Sequence, residues 1–231
     1  MVKPVHTESI WKKWIFIRMF SAYSISIFGV YLDLIAVSVL VGYTWKADPF
    51  LVSLIPITYA LPGILLGSWA GVAADRLKKI HIMIAADILI AIVTFLLMFV
   101  PNIYWLLFLL TLRSAFTVFF YPAQQSLTKR VVREELLTKA TALNGLLNQA
   151  GKIVGPLAGG MLITVISPQA CMAIKAVNSL CSALILLSAG KVEEGGQSRT
   201  RTEKAGKNGH LWGTWLEGWK YVLKRKIIFL P

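Results

Sequence analysis

Apolar residues fall in six long runs along the chain, at about 14–43, 50–74, 80–100, 103–124, 140–166 and 169–190, separated by short polar breaks. Each run is near the ~20 residues that an α-helix needs to cross a hydrocarbon layer of ~30 Å. The breaks carry helix-ending chemistry: Lys46-Ala47-Asp48-Pro49, Asp75 to Lys79, Pro101-Asn102, Lys129 to Lys139, and Ser167-Pro168. Proline disfavours helix in the residue before it, and Asn, Asp and Ser favour turns and caps. The pattern predicts an all-α, polytopic membrane protein with six transmembrane helices over 14–190, preceded by a short N-terminal segment, 1–13. After Gly190 the periodicity stops, and 191–210, rich in Gly, Lys, Arg, Ser and Thr, reads as a flexible linker. From 211 to 231, Trp212, Trp215, Leu216, Trp219, Val222 and Leu223 recur on one stripe, while Lys220, Lys224 and Arg225 fall largely elsewhere. This predicts an amphipathic helix lying on the membrane surface; a helix packed on another domain is the alternative.

Composition sharpens the class. Of 231 residues, 56% are apolar and only 15% charged, and the mean hydropathy is +0.66, which excludes disordered, collagenous and disulfide-scaffold chains. The net charge of +13 would suggest nucleic acid in a soluble chain, but its distribution points to topology instead. Twenty Lys and Arg lie before or at the start of span 1, between spans 2 and 3, between spans 4 and 5, and after span 6; the alternate loops hold one, Lys46. Basic loops stay cytoplasmic, so both termini are predicted to be cytoplasmic, in the plasma membrane, with membrane lipid and not nucleic acid as the partner. Cys171 and Cys181 both lie in apolar runs and read as packing thiols. The first run is too long for a signal-peptide core and lacks a small-residue cleavage site after it.

The candidate chemistry lies in the charges inside the spans. A charge at a span centre costs roughly 2.5–3.5 kcal/mol on insertion scales, so Asp33, Asp87, Arg113, Lys152 and Lys175 are expected to face a bundle interior or an aqueous cavity, or to reach a headgroup near a span end. Asp33, Arg113 and Lys152 are nearest mid-depth and carry the most functional weight. On a helical wheel Ala22, Ser26, Gly29 and Ala36 lie on the side of Asp33; Thr117, Phe120 and Gln124 share a face with Arg113; and Gly145, Asn148, Pro156 and Gly159 share one with Lys152. Ser26, Asp33, Arg113, Asn148 and Lys152 are therefore the predicted substrate and proton pathway. A structural ion pair, such as Asp33 with Arg113, is the alternative reading.

Glycines carry a second signal. Gly63, Gly67, Gly71 and then Asp75 follow at intervals of four in span 2, and span 5 holds Gly155-Pro156-Leu157-Ala158-Gly159-Gly160. Small residues at this spacing let helix backbones touch, so both sets read as packing seams. Glycine-rich spans 2 and 5, and spans 1 and 4 with a central charge each, suggest a 3+3 internal repeat.

Gly71-Val72-Ala73-Ala74-Asp75-Arg76-Leu77-Lys78-Lys79 resembles the loop 2–3 signature of the major facilitator superfamily, G-x-x-x-D-R-x-G-R-R, departing from it at Lys78 and Ile80. Arg113 matches the superfamily's span-4 arginine, with Thr117 where a glycine often follows. Gly155-Pro156-x-x-Gly159-Gly160 resembles the span-5 signature of its proton-coupled antiporters. With Phe120-Tyr121-Pro122-Ala123-Gln124-Gln125, the text is similar to the drug:proton antiporter subgroup that includes macrolide efflux proteins. The resemblance covers about residues 14–190 and implies one six-helix half of a twelve-span bundle, ending where a seventh span would begin. It implies efflux of a small amphiphilic compound by alternating access, with H+ as coupling ion, no other cofactor, and a second six-span half as partner. Asp33 is then the expected proton acceptor, because its neutralisation would change its attraction to Arg113. Gly71, Asp75, Arg76 and Lys79 would form a cytoplasmic gate. Phe20, Tyr23, Phe28 and Tyr31 suit a bulky cargo and equally suit lipid-facing packing.

Enzyme readings are poor, since His6, His81 and His210 all fall at cytoplasmic positions and no nucleotide-binding glycine loop, G-x-x-x-x-G-K-[ST], is present. The alternatives concern completeness: a half-size protein without transport of its own, one that pairs with itself or a second half, or a membrane-anchored interaction module.

Overall fold

The computed structural model describes residues 14–132 and 134–196, and among these no strand occurs. Helix α1 spans Trp14–Val39 and runs into a π-helical turn, Leu40–Thr44; α2 is the short Pro49–Ser53; α3 is Ile55–Arg76, α4 Lys79–Leu97, α5 Ile103–Val131, α6 Glu134–Ile163 and α7 Pro168–Gly196.

The predicted breaks work by capping. Lys46 turns the chain out of the π segment with a φ of 47°, and Asp48 then accepts a hydrogen bond from the Phe50 amide at 2.7 Å to start α2. Asn102 accepts from the Trp105 amide at 3.1 Å to start α5, and the Ser167 hydroxyl accepts from the Ala170 amide at 3.2 Å to start α7. Leu54, just before Ile55-Pro56, separates α2 from α3 because Pro56 has no amide hydrogen to continue the ladder.

The other breaks are tighter than the hydropathy pattern predicts. Only Leu77 and Lys78 join α3 to α4, and most of the stretch from Lys129 to Lys139 is helix. Once a helix leaves the hydrocarbon its charged residues are no obstacle, and Lys, Arg, Glu and Leu are strong helix formers. By the same logic α7 continues to Gly196, past the predicted span end at 190 and into the predicted linker. The N-terminal segment 1–13, the linker after Gly196 and the amphipathic helix 211–231 lie outside the described residues.

Helix α1 packs along α7 and α6, α4 lies between α5 and α7, and α3 packs on α5. The core has two large apolar layers, with a smaller cluster of Phe16, Val132 and Ala140 beside them. One joins Met19, Tyr23 and Ile27 to Met83, Phe120, Leu127 and Leu186; the other joins Leu32, Val37 and Leu40 to Leu97, Leu106, Leu110 and Met172. In sequence, Asp87, Arg113 and Lys175 fall between the two layers on their helices, and Asp33 at the boundary on α1. The ionisable residues thus share one level of the bundle.

Five stretches are long and apolar enough to cross a membrane: Phe16–Thr44, Pro49–Arg76, Lys79–Leu97, Ile103–Val131 and Pro168–Ser188. The protein is therefore a helical membrane protein. The sequence predicted six spans; α6, though 30 residues long, is diluted by Asn144, Asn148, Gln149, Lys152 and its glycines. Burial is uneven as well, since 17% of the α3 window lies inside the protein against 50% for α4.

Candidate functional site

The shared polar level is organised around one guanidinium. Arg113 on α5, 5% exposed, places Nη2 2.7 Å from Oδ2 of Asp33 on α1, 1% exposed. The same Nη2 donates to the Tyr59 hydroxyl on α3 at 3.1 Å, and the guanidinium carbon sits 6.0 Å from the centre of the Tyr59 ring. One side chain thus ties α1, α3 and α5 together. Direct pairing offsets the desolvation of both ions, whereas removing one partner strands the other charge in the core.

Two further charges complete the level. Lys175 on α7 lies across α1, where its ammonium donates to the Ser26 carbonyl at 3.4 Å. Gly29 makes room for this crossing, because a Cβ there would lie 2.9 Å from Cδ of Lys175. On α4, fully buried Asp87 accepts a hydrogen bond from the Ser182 hydroxyl at 2.5 Å through Oδ2. Asp33, Asp87, Arg113 and Lys175, two charges of each sign, all line one cavity of about 270 Å³ together with Ser26, Tyr59 and Tyr121.

A second cavity, about 330 Å³, is lined by α1, α5 and α6, with Gln124, Thr128, Lys129, Thr141, Asn144 and Asn148 on its walls. Tyr23 and Tyr121, edge to face with ring centres 6.5 Å apart, line both cavities and separate them. Asn148 is held between two α1 tyrosines: its Oδ1 accepts from the Tyr31 hydroxyl and its Nδ2 donates to the Tyr23 hydroxyl, both at 3.2 Å.

The predicted pathway residues therefore divide. Asp33, Arg113 and Ser26 line the charged cavity, and Asn148 lines the amide-rich one. Lys152 joins neither lining and is exposed, so of the alternatives expected for it the interior of this bundle is not the one adopted. The reason is geometric. Helix α6 meets α1 along the narrow arc of Gly151, Gly155 and Gly159, and Lys152 lies one residue, about 100°, away from it.

The glycine motifs divide too. A Cβ at Gly155 would overlap that of Tyr31, and one at Gly159 would lie 3.3 Å from Cβ of Ile35, so these two permit the α1–α6 contact, with Pro156 half-buried beside them. Gly63, Gly67, Gly71 and Gly160 have nothing within 4 Å of such a Cβ. The α3 seam expected from the spacing thus has no partner among the described residues. In the gate motif, Gly71, Asp75 and Arg76 end α3, with Asp75 and Arg76 exposed, and Lys79 folds back to donate to the Asp75 and Leu77 carbonyls at 3.2 and 3.4 Å.

Tyr59 gave no sequence signal, since a tyrosine in an apolar run is unexceptional. Asp87 and Lys175 did, as ionisable residues inside spans, but their nearness to span ends gave them little weight.

Relatives share this sequence at moderate identity. The chain is 31% identical over 168 residues to an uncharacterised MFS-type transporter of Bacillus subtilis, YfiS, covering 73% of this chain and 40% of the relative. It is 27% identical to a second such transporter of that organism, YkuC, covering 95% and 52%, and 30% identical to macrolide efflux protein A of Enterococcus faecalis, covering 55% and 41%. The chain thus spans about half, or less, of the length of these relatives. The family description Major Facilitator Superfamily matches residues 15–230. A membrane-spanning helical bundle with a buried carboxylate–arginine pair, the signature at the α3–α4 junction and a family match along nearly the whole chain together make this protein a member of the major facilitator superfamily.

Proposed function

We propose that the protein is a secondary transporter, or one six-span half of one, that exports a small amphiphilic compound by alternating access in exchange for protons. The carrying observation is the cavity of about 270 Å³ at mid-bundle, lined by the buried Asp33–Arg113 pair. Ionisable side chains kept inside a membrane protein, facing a cavity and not lipid, mark a transport pathway. The printed names of relatives supply the direction and the cargo class, because they include macrolide efflux protein A and a multi-drug resistance efflux pump, PmrA, of Streptococcus pneumoniae.

In this reading α6 is the sixth span and the bundle is a 3+3 repeat. The packing supports it: exchanging α1 with α5, α3 with α6 and α4 with α7 turns the α3–α5 contact into α6–α1 and the α4–α5 contact into α7–α1, and leaves α4–α7 in place. A second six-span half covers the open Gly63, Gly67 and Gly71 face, and both termini are cytoplasmic. Asp75 and Arg76 then sit at the cytoplasmic gate.

The test is accumulation of radiolabelled erythromycin, a macrolide, in a drug-sensitive bacterium expressing the protein. Lower accumulation, reversed by a protonophore, is expected. Accumulation equal to that of cells without the protein sinks the reading. Asp33→Asn strands Arg113 and is expected to lower stability by about 3–5 kcal/mol in thermal melts; truncating both partners, as Asp33→Leu with Arg113→Met, recovers much of that loss while leaving export abolished.

A further inference from the structure

We propose that Asp87 on α4, and not Asp33, is the carboxyl group that takes up and releases the proton. The inference deepens the proton-driven reading above and rests on it.

The two acids share a cavity but differ in what neutralisation does to their neighbours. Asp33 is bonded directly to Arg113 at 2.7 Å, and a guanidinium stays protonated at any physiological pH. Adding a proton to Asp33 therefore leaves a permanent cation buried without its partner, an outcome opposed by the whole strength of the pair. Asp87 has no such bond. Its Oδ2 accepts from the neutral Ser182 hydroxyl, while Oδ1, like Oδ1 of Asp33, is buried with no hydrogen-bond partner among the described residues. Lys175, which lines the same cavity, donates to the Ser26 carbonyl of α1. The ionisable groups lining the same cavity are Asp33 and Tyr23 from α1, Tyr59 from α3, Arg113 and Tyr121 from α5, and Lys175 from α7. Among them Arg113 is committed to Asp33 and Tyr59, so Lys175 is the cation left to balance Asp87.

The step is a simple one. A proton binds the open Oδ1, carboxylate becomes carboxylic acid, the Ser182 bond remains, and the four charges of the cavity go from a net zero to a net +1. Lys175 then has Asp33 as the one remaining anion among the four charges of the cavity, so proton uptake removes an attraction between α4 and α7 without breaking an ion pair. Release reverses each change.

The experiment uses the whole chain in lipid nanodiscs with dicyclohexylcarbodiimide, which adds to protonated carboxyl groups in apolar surroundings, and locates the adduct by peptide mass spectrometry across a pH series. The expected result is an adduct on Asp87 that falls with rising pH, approaching about tenfold per pH unit as one titrating proton requires. An adduct on Asp33 in place of Asp87, or on neither, overturns the proposal. Asp87→Asn removes the adduct, and Asp87→Glu, which keeps an acid if the amide does not fold, retains it. In the erythromycin assay, Asp87→Asn is expected to lose the response to a pH gradient; an unchanged response also overturns the proposal. Because labelling needs no cargo, a wild-type protein that moves no erythromycin sinks the transport reading while the labelling still decides the role of Asp87.

Discussion

Helices α3 and α6 carry glycine at the same four-residue interval and use it in opposite ways. On α6, Gly155 and Gly159 are filled by α1, whose Tyr31 and Ile35 occupy the space where a Cβ would stand. On α3, Gly63, Gly67 and Gly71 have nothing within 4 Å of that position. Spacing thus encodes a groove but not its occupant. The buried groove is also the one reinforced by polar bonds, because Asn148, two turns before Gly155, bridges Tyr23 and Tyr31. Of the five stretches long and apolar enough to cross a membrane, the open groove belongs to the least buried one.

Substitution separates the two cases. Gly155→Val should have the largest effect, since its Cβ overlaps Tyr31 and α1 must move away; a loss of about 3 kcal/mol or more is expected, read as a fall in the melting midpoint of the detergent-solubilised protein. A normal melt would mean that α1 and α6 are not held together at this point. Asn148→Leu comes next, at about 1–3 kcal/mol, because two tyrosine hydroxyls lose their partner while the apolar volume is kept. If it melts like the parent, glycine contact alone holds the seam. Gly67→Ala should be smallest, within about 0.5 kcal/mol, as an added methyl meets nothing. A large loss there would show that α3 is covered after all, and the comparison between the helices would fail.

The helices and their ends were legible in the sequence for concrete reasons. Asp48, Asn102 and Ser167 each cap the helix that the hydropathy pattern says should begin there. Asp33 and Arg113 could be named because each is the central charge of its span. Facing was the harder part. A helical wheel fixes the angle between Asn148 and Lys152 on α6 but not which of them meets α1, and that is decided by Gly151, Gly155 and Gly159 acting from the neighbouring arc. Depth misled in the same manner, because Asp87 and Lys175 lie near span ends in the sequence and still reach the level of Arg113. The partnership of Tyr59 with Arg113 depends on α3 packing against α5, a contact across 54 positions of chain that no local pattern announces.

Tyr23 and Tyr121 form the wall shared by the two cavities. In the transport proposed above, that placement would sort traffic by size and therefore by time. A proton or a water molecule would pass when two aromatic rings turn about their own side-chain bonds, a local event that leaves the helices where they are. A cargo molecule would need α1 and α5 themselves to separate, a collective motion on the roughly microsecond-to-millisecond scale. On that proposal the buried charges would come to equilibrium with solution many times within a single passage of cargo.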